Sequence, residues 1–145
     1  MATSYSTIIN AFLMKVKAYK LIALLEDDRE EMVNFYLSSA CAKFYKKCRH
    51  NLLNRDDVTQ EFAEELDADE ADILSEIMIT EWLSPMMYDD ELLESRLNTK
   101  DFTEYSPAKL IEQIHEVFKT SKKYSKQLII DYTYSHGDIA EVNKP

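Results

Sequence analysis

The chain has 145 residues with one glycine, three prolines, 46% apolar residues and a formal net charge of −10. That length suits one domain with a real core, and the scarcity of glycine and proline excludes turn-rich β-sandwiches and barrels. The acidity disfavours nucleic acid and anionic membrane as partners, and no apolar run reaches the roughly 18–20 residues that span a bilayer.

Met1–Asn10 lacks the basic region and small-residue cleavage site of a signal peptide, so a cytosol-like compartment is expected. A first helix is predicted from Ser6 to Leu25, with Ile8, Ile9, Phe12, Leu13, Val16 and Tyr19 on one face and Ser4 or Ser6 as cap. A second runs from Arg29 to Asn51, capped by Asp27 or Asp28. Val33, Tyr36, Leu37, Ala40, Cys41, Phe44 and Cys48 form its buried stripe, and Lys46, Lys47, Arg49 and His50 suit the dipole at its C-terminal end. On one helix Cys41 and Cys48 are about 10.5 Å apart along the axis, beyond disulfide reach, and read as buried thiols.

The stretch Asn54 to Leu66 is irregular, a short helix or a packed loop around Phe62 and Leu66. A third helix starts near Asp67, where Asp67 and Glu70 have capping-box spacing. Its apolar face is Ile73, Leu74, Ile77, Met78 and Trp82, and Ser84-Pro85 ends or kinks it. A short helix from Asp89 to Asn98 is expected next. Ser106 and Pro107 then open a long helix to about Tyr132, with Leu110, Ile111, Ile114, Val117, Phe118, Ser121, Tyr124 and Leu128 along one side. The β-branched and aromatic run from Ile129 to Tyr134 is either an extended arm that docks on a neighbour or a frayed helix end. The expected fold is therefore all-α, a bundle of about four to five helices. Residues 1–128 form the helical domain and 129–145 an extended or flexible C-terminal arm.

Charge is sorted into blocks. Met32 to Arg55 holds five basic residues and no acid, Asp56 to Ser95 fifteen acids and no Lys or Arg, and Val117 to Ile130 four lysines and no acid. Ordinary soluble surfaces mix the two signs, so such blocks point to surfaces that meet opposite charge. Part of the basic block of the second helix is explained by the dipole alone.

Chemical motifs are absent. One glycine allows no phosphate loop, and there is no HExxH, CxxC or GxSxG. Asp67–Asp72 departs from the calcium-loop pattern at Ala71, Asp72 and Met78. Lys43, Lys46, Lys47 and Arg49 interleave with Phe44 and Tyr45, but Phe44 belongs to the core stripe and the acids downstream oppose phosphate. No catalytic residue, metal ligand or cofactor is assigned, and the chain is read as non-enzymatic.

The order of segments carries a resemblance. It comprises Tyr5-Ser6-x-Ile8-Ile9-x-x-Phe12-Leu13-x-Lys15, the turn at Glu26–Arg29, Tyr36-Leu37-x-Ser39-Ala40-Cys41-x-x-Phe44, and Arg55-Asp56-Asp57. Ile73-Leu74-x-x-Ile77-Met78-x-x-Glu81-Trp82-Leu83-Ser84-Pro85, Lys100-Asp101-Phe102-Thr103-x-Tyr105-Ser106-Pro107-Ala108 and Asp131-Tyr132-x-Tyr134 follow. This order resembles the head–tail connector or adaptor proteins of the neck of tailed bacteriophages, over nearly the whole chain.

The resemblance implies a mostly helical virion protein, made in the host cytoplasm. It would form a dodecameric ring beneath the portal protein and continue the DNA channel toward a stopper or tail-completion protein. Genomic DNA would pass without specific binding, and no membrane is involved. From charge and the aromatic tail, Lys119, Lys122, Lys123, Lys126, Ile130, Tyr132 and Tyr134 are expected at subunit or portal contacts. Asp67, Asp69, Glu70 and Asp72 are expected on an acidic channel or contact face. The rival reading is a small acidic helical interaction or regulatory module, phage-encoded and DNA-mimic-like, that binds a basic partner. Deleting Ile129–Pro145 is expected to separate the two.

Overall fold

The computed structural model describes residues 2–19, 30–87 and 107–135. The short helix expected from Asp89 to Asn98, the caps at Asp27 or Asp28 and at Ser106, and the tail past Gly137 lie outside the described residues. The all-α reading holds. Among the described residues four helices, α1 (Tyr5–Ala18), α2 (Glu30–Phe44), α3 (Ala68–Met87) and α4 (Pro107–Ser135), carry the structure, with three two-residue strands beside them.

The first helix begins where its cap dictates. Ser4 is extended, and its side chain accepts from the Ser6 N–H at 3.3 Å, satisfying one of the donors orphaned at a helix start. Ile8, Phe12 and Val16 are completely buried, at the spacing that makes one helical face.

Helix α3 is the hub. It packs against α1, α2 and α4, and every residue from Ile73 to Ile79 is buried. A helix enclosed on all sides has no solvated stripe, so it is apolar nearly all round. Phe12 of α1 meets Trp82 of α3 edge-on, with ring centroids 6.0 Å apart. Pro85 does not end α3, which continues to Met87.

Helix α2 is shorter than its periodicity suggested. It stops at Phe44, whose carbonyl takes the N–H groups of both Lys47 and Cys48. Lys46, Lys47, Arg49 and His50 thus lie beyond the helix end, and Lys43 is the basic residue of its last turn. Cys41 and Cys48 are free thiols.

The irregular stretch after α2 is a hairpin. Strands β2 (Arg55–Asp56) and β3 (Glu61–Phe62) pair antiparallel, and β1 (Thr3–Ser4) adds to the other side of β3. The Asp56 carboxylate takes the N–H groups of Val58 and Thr59, which folds the turn, and Gln60 adopts φ 57°. Phe62 anchors the hairpin, fully buried against Tyr5.

The C-terminal helix corrects the arm. Helix α4 runs unbroken through residue 129 to Ser135, so the division expected between 128 and 129 falls inside a helix. Tyr132 sits in the core at 3% exposure, edge-on to Phe44. The spacing of Ser121, Ser125, Leu128 and Tyr132 explains this: β propensity at Ile129–Tyr134 yields to a buried face that continues at helical period.

Candidate functional site

The most highly organised polar group is built on Glu70, at the first turn of α3. Its side chain is fully buried. One carboxylate oxygen accepts from the Asp67 N–H at 2.7 Å and pairs with His50 Nδ1 at 2.7 Å; the other accepts from Tyr132 Oη at 2.8 Å and Cys48 Sγ at 3.1 Å. The Tyr132 hydroxyl in turn accepts from the Arg49 N–H at 2.7 Å. The bond from Glu70 back to the Asp67 N–H is the returning half of a capping box. The Asp67 side chain is elsewhere, on the Arg49 guanidinium.

These donors settle the electrostatics. Burial alone would raise the Glu70 pKa, but the bonds from Asp67 N–H, Cys48, Tyr132 and His50 outweigh it and hold the carboxyl at about 2. Burial and the bond to Glu70 push the Cys48 thiol up to about 12, and burial pushes Cys41 up to about 11. Tyr132 is also raised, by burial and then by its bond to Glu70, against the opposing bond from Arg49. A carboxylate held this low with both oxygens engaged is a poor base, and these thiols are poor nucleophiles.

The single set of possible metal ligands among the described residues is His50, Asp67 and Glu70, with ligand atoms within 4.8 Å of one another. Protein donors already fill it. Arg49 sits on Asp67, and a cation would have to displace that guanidinium and the donors on Glu70.

A second buried carboxylate, Glu76 at 1% exposure, lies on the side of α3 facing α1. It accepts from Tyr19 Oη at 3.0 Å and pairs with Lys15 Nζ at 3.1 Å, while Lys15 also reaches Asp72 at 2.7 Å. Lys43 pairs with Glu81 between α2 and α3. Part of the sorted charge is thus resolved within one copy: Lys15 on α1, Lys43 in α2 and Arg49 after it meet acids at the start of α3 and along it.

The acidic face expected from Asp67, Asp69, Glu70 and Asp72 does not exist as a unit. Glu70 is buried, Asp67 is held by Arg49 and Asp72 by Lys15, while Asp69 is exposed beside them and accepts from the Glu70 N–H. Tyr132, expected at a partner contact, is a core residue bonded to Glu70.

The remaining contact candidates lie on the surface. Lys119, Lys122, Lys123 and Lys126 are all exposed and fall on the side of α4 opposite Ser121, Ser125 and Tyr132. Ile130 and Tyr134 continue that side at 48% and 50% exposure. Among the described residues, none of the four lysines has a carboxylate within ion-pair distance; Lys122 lies over the Phe118 ring at 5.8 Å.

No family model matches the chain, and no curated protein or solved structure is found to be similar to it. No helix among the described residues is long and apolar enough to cross a membrane.

Proposed function

We propose that the chain is a non-enzymatic structural protein that works by assembling with other proteins. More specifically, we read it as a head–tail adaptor of a tailed bacteriophage. It would form a ring of copies under the portal protein, in the virion neck, and carry the DNA channel on to a stopper or tail-completion protein. The specific reading is supported by the order of segments described above and by the helical fold.

The observation that carries the assembly reading is the lysine row of α4. Where Lys15, Lys43 and Arg49 meet acids of α3 inside the same copy, Lys119, Lys122, Lys123 and Lys126 stand exposed on one side of a 29-residue helix with no carboxylate partner among the described residues. Aligned like charges repel one another, so a row of this kind gains most from an acidic surface on another molecule. The chemistry of the buried groups favours the same view, because Glu70 and Glu76 are engaged in holding helices together.

The rival reading, a small acidic interaction module, is favoured by the pairing of α3 acids within one copy, which makes a self-contained fold. Quantitative mass spectrometry on purified phage particles separates them. A ratio of this chain to the portal protein near one is the adaptor outcome. Absence from particles overturns the adaptor and leaves the module.

A further inference from the structure

The hairpin end of the molecule carries the complement of the lysine row. Asp56, Glu61, Glu64 and Glu65 are exposed there, and none has a Lys or Arg within ion-pair distance among the described residues. Asp56 and Glu61 stand directly opposite in the strand register. Like charges at opposed strand positions are unfavourable, and although the Asp56 carboxylate accepts from the Val58 and Thr59 N–H groups, no Lys or Arg among the described residues neutralises either charge. At the tip of the same hairpin Val58 is 92% exposed. On α4, the lysines are followed along the same side by Ile130 and Tyr134. Each surface therefore offers charge beside an apolar group, with opposite sign.

The two surfaces lie apart on the molecule. The lysines flank Ser121, which bonds to the Glu76 carbonyl and Thr80 in the middle of α3. The hairpin precedes the start of α3 and pairs with β1. Among the described residues the two surfaces of one copy do not reach each other, whereas a second copy can bring them together.

We infer that the lysine row of α4 in one copy docks on the acidic hairpin of a second copy, with Lys119, Lys122, Lys123 and Lys126 meeting Asp56, Glu61, Glu64 and Glu65. This deepens and rests on the assembly reading. Because two different surfaces meet, the contact is head-to-tail, and every open assembly keeps one free surface of each kind until a ring closes. Formation is favoured at low salt and weakened by screening, since both faces are solvent-exposed before they meet.

Charge swapping in the full chain tests this. The K122E/K126E and E61K/E65K variants each place like charges across the contact, and Glu64, which accepts from the Asn51 N–H, is left in place. Sedimentation velocity at low salt is expected to give salt-sensitive self-association for the natural chain and a loss of about a hundredfold in association constant for each variant alone. An equal mixture of the two variants, or all four changes in one chain, restores association. All four positions are exposed, so circular dichroism is expected to stay unchanged and to separate lost contact from lost fold. A natural chain that stays monomeric, a variant that associates normally, or a mixture that fails to recover overturns the inference. The particle ratio is independent of this outcome: association with absence from particles removes the adaptor reading and leaves the contact standing, and presence in particles without association does the reverse.

Discussion

The Tyr132 hydroxyl donates to the Glu70 carboxylate at 2.8 Å, joining residues 62 apart in the chain. Through it the last turns of α4 are tied to the first turn of α3, and the Arg49 N–H beyond α2 is tied to both. Replacing Tyr132 by Phe keeps the ring against Phe44 and removes the hydroxyl alone. Glu70 then loses a donor, and the Arg49 N–H loses its acceptor. Hydrogen bonds to charged groups contribute about 1.5–3 kcal/mol, so Y132F is expected to lose about 2 kcal/mol in urea unfolding without a change in helix content.

The same carboxylate sets an acid limit. The Glu70 pKa falls from the ordinary 4.5 to about 2 in the folded chain. A folded-state pKa below the unfolded one adds stability that is fully present above the unfolded value and is lost as pH falls through the folded value. The stability difference between the natural chain and E70Q is therefore expected to be constant near neutrality and to shrink between about pH 4.5 and pH 2. Urea titrations of both chains across that window check it; a difference independent of pH would show that the carboxylate charge is not what the network uses.

Cys48 donates its thiol proton to Glu70, and burial with that bond raises its pKa to about 12 from the ordinary 9.0. Below both values this is about a thousandfold less thiolate than a free cysteine has. Alkylation by iodoacetamide at pH 8 is expected to be slow at both cysteines in the folded chain and to reach ordinary rates in urea. C48S keeps a donor and is expected to be milder than C48A, which leaves Glu70 one bond short in a buried place.

Much of the fold was legible in local spacing. The pattern Ile8, Phe12, Val16 and the cap at Ser4 act within one helix, and the buried set Ile73, Leu74, Ile77, Met78 and Trp82 repeats at helical period. The two-residue strands left no period to read. The network on Glu70 escaped because its partners Cys48, His50 and Tyr132 lie 22, 20 and 62 residues away, and a glutamate inside an acidic run looks solvated. Two signals bore on it. The capping-box spacing already turned Glu70 back toward the helix start, and Tyr132 continues the buried face of α4 four residues after Leu128. The sorted charges were real, but consecutive helices of opposite sign that pack together neutralise one another first. Among the described residues, the lysine row of α4 and the acids of the hairpin lack such a neighbour and stayed exposed.

Lys15 bridges Asp72 and Glu76, and Glu76 is nearly sealed from solvent. Removing one member of a buried pair leaves an uncompensated charge, whereas removing both does not. K15M is expected to cost about 3 kcal/mol, and K15M/E76Q distinctly less than the sum of its single changes. A double-mutant cycle by chemical denaturation measures the coupling; simple additivity would mean that Tyr19 and solvent already satisfy Glu76.

Truncation tests the role of the C-terminal turns. A deletion of Ile129–Pro145 removes Tyr132 along with whatever lies past the helix, so it confounds lost docking with lost packing. A chain ending after Ser135 keeps every described contact of Tyr132. A chain ending after Leu128 loses a buried aromatic ring and the donor to Glu70, a change expected to cost about 3–5 kcal/mol. Thermal unfolding is thus expected to leave the chain ending at Ser135 close to the natural one and to lower the midpoint of the chain ending at Leu128 by about 10–20 °C. Only the first truncation is then fit for binding measurements: a partner lost by the chain ending at Ser135 depends on residues 136–145, and one lost only by the shorter chain reports the collapse of the Glu70 network.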